Sequence, residues 1–127
     1  MGDITGGTSG TGRAERGQKV GVALDTIKAD KREQVERFYD LFWHNPVAWP
    51  AENQLVRDST RLLYPTVANA DGTYTYVWLF DPFVEGAGYS IRTLLKKMYG
   101  EEKAAEYMNL WVDAHASEQI EHILEQT

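Results

Sequence analysis

From Thr73 to Phe83, β-branched and aromatic residues alternate with a strict period of two. This pattern predicts a central β-strand, because successive side chains on a strand point to opposite faces. Tyr74, Tyr76, Trp78 and Phe80 then share one face, and Thr75, Val77 and Leu79 share the other. Pro82 closes the strand, since it cannot donate to a sheet ladder. A wall of four aromatic rings must be covered by a helix layer, a second sheet from a partner subunit, or a flat apolar ligand.

The flanking sequence supplies the elements for such a sheet. Val20 to Ile27 reads as a first strand, with Val20, Val22 and Leu24 on one face. Asp30 is placed to cap a following helix, with Glu33 three residues on as in a capping box. Val35, Phe38, Tyr39, Leu41 and Phe42 recur at helical spacing up to about His44. Asn45-Pro46 ends that helix. Val47 to Asp58 has no sustained period and reads as a long loop carrying Trp49, Asn53 and Arg57; loops of that length are often functional. Arg61 to Ala68 reads as a second strand, turned at Asn69-Ala70-Asp71-Gly72 into the aromatic strand, so the two are antiparallel.

After the Glu85 to Gly88 loop, Ser90 is a good N-cap for a helix with Ile91, Leu94, Leu95 and Met98 inward. Gly100 stands where a glycine ends a helix, and a further helix from Glu101 to about Ala116 turns Ala104, Met108, Trp111, Val112 and His115 inward. The segment from Glu118 to Thr127 fits a helix through Ile120, Ile123 and Leu124, and a strand through Ile120, His122 and Leu124.

Composition narrows the function classes. A chain of 127 residues has the length of one domain. Residues 1–17 hold six of its eleven glycines and read as a flexible tail, leaving 18–127 as the folded domain. The glycine run is not a phosphate loop, which needs a preceding strand and a following Gly-Lys-Ser/Thr. Without cysteine there are no disulfides, thiolate metal sites or cysteine nucleophiles, as suits a reducing cytoplasm. The first thirty residues contain no apolar run of signal-peptide length, and no run reaches membrane-spanning length. A net charge of −6 without a basic stripe argues against nucleic acid as a partner. His44, His115 and His122 lack the close spacing of a metal site, so no metal is expected.

The order β, α, β, β, α is that of a ferredoxin-like α+β sandwich, βαββαβ with its second helix split in two, lacking only the closing strand. Three stretches resemble the dimeric α+β barrel superfamily, particularly its antibiotic biosynthesis monooxygenase-like and similar uncharacterised members. They are Val22 to Glu33, Asp71 to Asp81 and Glu121 to Thr127. The resemblance implies a closing strand at the C-terminus. It also implies a homodimer whose two sheets face each other, with a cleft for a small hydrophobic molecule between sheet and helices in each subunit. The dimer has a physical argument as well, because helices on one face of a sheet leave the other face bare.

Cofactor-free oxygenases of this kind let a deprotonated, electron-rich substrate react directly with oxygen, so no cofactor is expected. They need a base, an oxyanion stabiliser and an aromatic slot. His44 or His115 are candidates for the base, and Asn53, Arg57 or Arg61 for the stabiliser. Trp49, Tyr64, Tyr76, Trp78 and Trp111 are candidates for ligand contacts. A lone histidine at the end of a helix is more often a capping or core residue than a catalytic one. Haem-degrading relatives carry a histidine on the helix after the aromatic strand, and none occurs here between Trp78 and Met108, which argues against haem degradation. The implied function is a cofactor-independent monooxygenase acting on an aromatic or polyketide-like substrate. The alternatives are a non-catalytic ligand-binding or stress-associated dimer, and a cyclase of natural-product biosynthesis.

Overall fold

A computed structural model describes residues 12–127. The part of the expected flexible tail from residue 1 to 11 lies outside the described residues. The remainder of that tail is not free: the Ala14 amide donates to Asp81 Oδ1 at 2.6 Å, and the Gly17 amide to the Gln126 carbonyl at 2.7 Å. Among the described residues, no helix is long and apolar enough to cross a membrane.

The chain runs β1 (Lys19–Ile27), α1 (Arg32–Phe42), α2 (Gln54–Asp58), β2 (Thr60–Leu63), β3 (Tyr74–Phe80), α3 (Ile91–Tyr99), α4 (Glu101–Ala114) and β4 (Ile120–Glu125). The four strands form one antiparallel sheet in the order β2-β3-β1-β4. This is the ferredoxin-like α+β fold, with the second helix split at Gly100 as expected. The C-terminal segment is a strand. It pairs along β1 from Lys19↔Glu125 to Leu24↔Ile120, covering what would otherwise be an open edge of β1.

The helices lie on one face of the sheet, and the even-numbered rings of β3 point at them: Tyr76 and Trp78 are buried, and Tyr74 and Phe80 pack at the border of the core. α1 meets them with Val35, Phe38, Tyr39 and Phe42. On β1 the buried positions are Gly21, Ala23, Asp25 and Ile27. Val20, Val22 and Leu24 do share a face, but it is the bare one. Their register partners Leu79, Val77, Leu124 and Ile120 lie on it too, with Leu63 of β2.

Several boundaries differ from the sequence reading. Asp30 falls within a 3-10 turn at Ala29–Lys31, and α1 starts behind Lys31 with no side-chain cap. The stretch from Val47 to Asp58 is not a plain loop; it holds two 3-10 turns and α2. β2 stops at Leu63 rather than Ala68, since Pro65 cannot donate to the ladder. The turn at 69–72 closes with Asn69 N to Thr73 O at 2.8 Å and Gly72 N to Asn69 O at 2.9 Å. On α4, Val112 is 52% exposed because the inward stripe passes through Ala104, Met108 and Trp111, one residue to its side.

Ser90 caps α3 as expected, its hydroxyl accepting from the Thr93 amide at 3.2 Å. Gly100 joins α3 to α4 with φ 87° and ψ 169°, a conformation nearly reserved for glycine. Gly100→Ala is expected to destabilise the protein by about 1–3 kcal/mol, measured as a lowered urea midpoint with an unchanged slope.

Candidate functional site

The buried face of β1 carries a carboxylate. Asp25 lies between Ala23 and Ile27, fully buried, directly opposite Tyr76 of β3. Its Oδ2 accepts from the Tyr39 hydroxyl at 2.6 Å, the Trp78 indole at 3.0 Å and the Trp111 indole at 3.1 Å. Its Oδ1 accepts from the Gln119 amide at 2.8 Å and lies 3.2 Å from His115 Nε2. The His115 contact is an ionic approach rather than an aligned hydrogen bond, since Nε2 makes no directed bond. The other ring nitrogen, Nδ1, donates to the Trp111 carbonyl at 2.7 Å.

These contacts govern protonation. Burial pushes the Asp25 pKa up, but the close approach of His115 and the bonds from Tyr39 and Gln119 outweigh it, leaving the group below its ordinary 3.8. Burial pushes His115 down, but Asp25 and the Trp111 carbonyl outweigh it and hold the ring above its ordinary 6.5. Burial and then the Asp25 charge push the Tyr39 phenol far up, so it stays a donor. Each partner thus favours the charged form of the other.

Beside this cluster lies a pocket of about 320 Å³. Ala23 and Trp78 line it from the sheet, Phe42, Trp43 and Trp49 from the end of α1 and the segment after it. Phe80, Phe83 and Tyr89 supply a further wall, with Tyr89 stacked on Phe83 at 5.0 Å and edge-on to Phe80 at 4.7 Å. Its polar lining includes Thr60, Gln119 and Glu121. Trp78 and Gln119 belong to both structures: each lines the pocket and donates to Asp25. With one Gln119 N–H donated to Asp25, its amide oxygen remains as an acceptor.

The sequence candidates fall into separate groups. Trp49 and Trp78 line the pocket, Trp49 fixed by its indole donating to the Phe42 carbonyl at 2.6 Å. Trp111 and His115 belong to the Asp25 cluster. His115 is poorly placed as a base, because Nδ1 is committed to the Trp111 carbonyl, Nε2 faces Asp25 and the ring does not line the pocket. Tyr64, Tyr76 and His44 form a third group. Tyr76 donates to Glu36 at 2.5 Å and accepts from Arg32 at 3.1 Å, Tyr64 packs on Tyr76 at 5.1 Å, and exposed His44 lies 3.2 Å from the Tyr64 hydroxyl. Burial first pushes both phenols up to about 12.

Asn53 is buried, its side-chain oxygen without a partner among the described residues. Arg57 donates to the Trp43 carbonyl at 2.7 Å and lies over the Trp43 ring at 4.5 Å. Arg61 is exposed, 3.7 Å from Asp81. None of these three lines the pocket. Asp25, Gln119, Phe83 and Tyr89 were not singled out by sequence reasoning. The parity of Asp25 with Ala23 and Ile27 was the available signal. Among the described residues, no three His, Asp or Glu side chains converge as a metal site would require.

No family model and no curated protein matches the chain. Among solved structures it is similar to a candidate antibiotic biosynthesis monooxygenase from Caulobacter crescentus CB15, at 13% identity and a TM-score of 0.47. The match covers 88% of this chain and 92% of that one. At that distance the likeness says nothing of this chain's site or activity.

The charge pair makes stability pH-dependent in a defined direction. The lowered Asp25 pKa adds stability above 3.8 that is lost as pH falls through the folded value. The raised His115 pKa adds stability below 6.5 that is lost as pH rises through the folded value. Urea midpoints are therefore expected to be highest between 3.8 and 6.5 and to fall on both sides. Asp25→Asn is expected to cost about 3–5 kcal/mol, as for breaking a buried pair, and to flatten the alkaline slope.

Proposed function

We propose that this protein is a homodimeric small-molecule enzyme of the cofactor-independent monooxygenase type, taking a flat, hydrophobic, hydroxylated aromatic substrate into the pocket beside Asp25. The observation that carries this reading is the pocket itself: an aromatic slot of about 320 Å³ with few polar groups, the usual composition of a small-molecule site. The Gln119 oxygen accepts from a substrate hydroxyl, and Glu121, a carboxylate on the pocket wall, takes up the proton as the substrate becomes electron-rich enough to reduce oxygen. Asp25 touches no substrate in this scheme; it positions Trp78 and Gln119.

A second reading, a ligand-binding protein without chemistry, is favoured by one observation: His115, one of the two histidines considered as the base, lies against Asp25 and does not line the pocket. Labelled oxygen separates the two. Aerobic incubation of the protein with 1-naphthol under ¹⁸O₂ is expected to give a naphthoquinone carrying one labelled atom, the naphthol supplying the electrons and the second oxygen atom leaving as water, with oxygen uptake that depends on the protein. Tight binding with no uptake would leave the ligand-binding reading in its place.

The homodimer is supported by the bare sheet face, where Val22, Leu24, Val77 and Leu79 lie between Leu63 on one side and Ile120 and Leu124 on the other. Leu63, Ile120 and Leu124 are 45%, 46% and 52% exposed in the single chain. A largely apolar face of this kind, with His122 opposite Val22 and Arg61 opposite Leu79 as its polar members, calls for a partner, and a two-fold copy supplies the same surface. Light scattering is expected to give twice the mass of one chain, and Leu24→Asp to reduce it to the mass of one. A wild-type protein of single-chain mass at micromolar concentration would overturn the dimer.

A further inference from the structure

The geometry points to Gly21 as the residue that sets the size of ligand the pocket admits, with two-ring hydroxyarenes as the class that fills it. This rests on the small-molecule reading above. Gly21 lies on the buried face of β1, paired with Phe80 of β3 and Ile123 of β4. A Cβ there would stand 2.9 Å from ring carbons of both Phe80 and Phe83. That is well inside the roughly 3.5–4.0 Å optimum for carbon contacts. Gly21 is not one of the glycines with positive φ, so space rather than backbone conformation requires the missing side chain. The two rings use the vacant volume as their seat, and both line the pocket.

The rings are backed by a pinned segment. The Asp81 amide donates to the Ser59 carbonyl at 2.8 Å and the Phe83 amide to the Lys19 carbonyl at 2.7 Å. The Val84 amide donates to the Tyr89 hydroxyl at 2.9 Å, and Tyr89 stacks on Phe83. Added bulk at position 21 therefore drives the rings towards the open volume beside them, which is the pocket. That volume also fixes the ligand class. A cavity of about 150 Å³ holds one benzene ring; about 320 Å³ holds two fused rings, with Gln119 and Glu121 on the lining to accept a hydroxyl.

Isothermal titration of the full-length protein with phenol, a naphthol and an anthrol tests this. The wild type is expected to bind the naphthol best. Gly21→Ala is expected to weaken naphthol binding about tenfold relative to phenol, the usual effect of one carbon in an apolar pocket. Phe83→Ala is expected to shift the preference to the anthrol, and adding it to Gly21→Ala is expected to restore naphthol binding. An unchanged ring-size preference in Gly21→Ala and Phe83→Ala overturns the role of Gly21 while leaving the small-molecule reading intact. A wild type that binds none of the three overturns that reading and this one together. If circular dichroism shows that Gly21→Ala does not fold, Phe83→Ala decides alone, and an unchanged preference there overturns the inference.

Discussion

The structure is organised around a buried charge. Transferring a carboxylate into an apolar interior costs several kcal/mol even after relaxation, and the cost is offset only when the group is fully hydrogen-bonded and paired. Asp25 meets that condition by drawing a hydroxyl from α1, indoles from β3 and α4, an imidazolium at the end of α4 and an amide from the approach to β4. Each element of the helical layer and the central sheet that touches this point has its position checked by a hydrogen bond as well as by packing. An apolar residue at position 25 would leave two indoles, a phenol and an amide without their acceptor, and unsatisfied buried donors are costly.

The same arrangement explains how the two faces of the sheet divide their work. Up to Asp25 the buried face of β1 carries small or polar residues, Gly21, Ala23 and Asp25, before the fully buried Ile27, and leaves room for large rings and a pocket. The opposite face takes the branched side chains Val20, Val22 and Leu24 that a sequence reader expects under helices. Hydrophobicity alone would therefore assign the inside of this strand to the wrong face. What reverses the assignment is volume: Tyr39, Trp78, Phe80 and Phe83 already fill the space in front of β1.

This is why the fold was more legible in the sequence than the site. Alternation in Tyr74 to Phe80, the Ser90 cap and the Gly100 break each carry a local physical signal, and together they fix the βαββ order and the split helix. Strand against helix for Ile120 to Glu125 was undecided by periodicity and is settled by the need of β1 for a second neighbour. Asp25 was passed over because a charged residue in a strand is ordinarily solvent-facing, and only its parity with Ala23 and Ile27 says otherwise. Gln119 sits in a polar stretch with no period at all, and its partner is 94 residues away in sequence. Phe83 and Tyr89 belong to a loop whose path is set by long-range contacts, invisible to any local rule.

Two of the four indoles in the chain donate to one carboxylate oxygen, at 3.0 and 3.1 Å. An indole's emission energy depends on the field across its ring, so the protonation of Asp25 is written into the protein's own fluorescence. Trp78 also faces the pocket, whereas Trp111 does not line it. A ligand and a proton therefore act on overlapping but unequal sets of chromophores. The molecule carries an internal optical gauge that distinguishes filling the pocket from discharging its core, with no label attached.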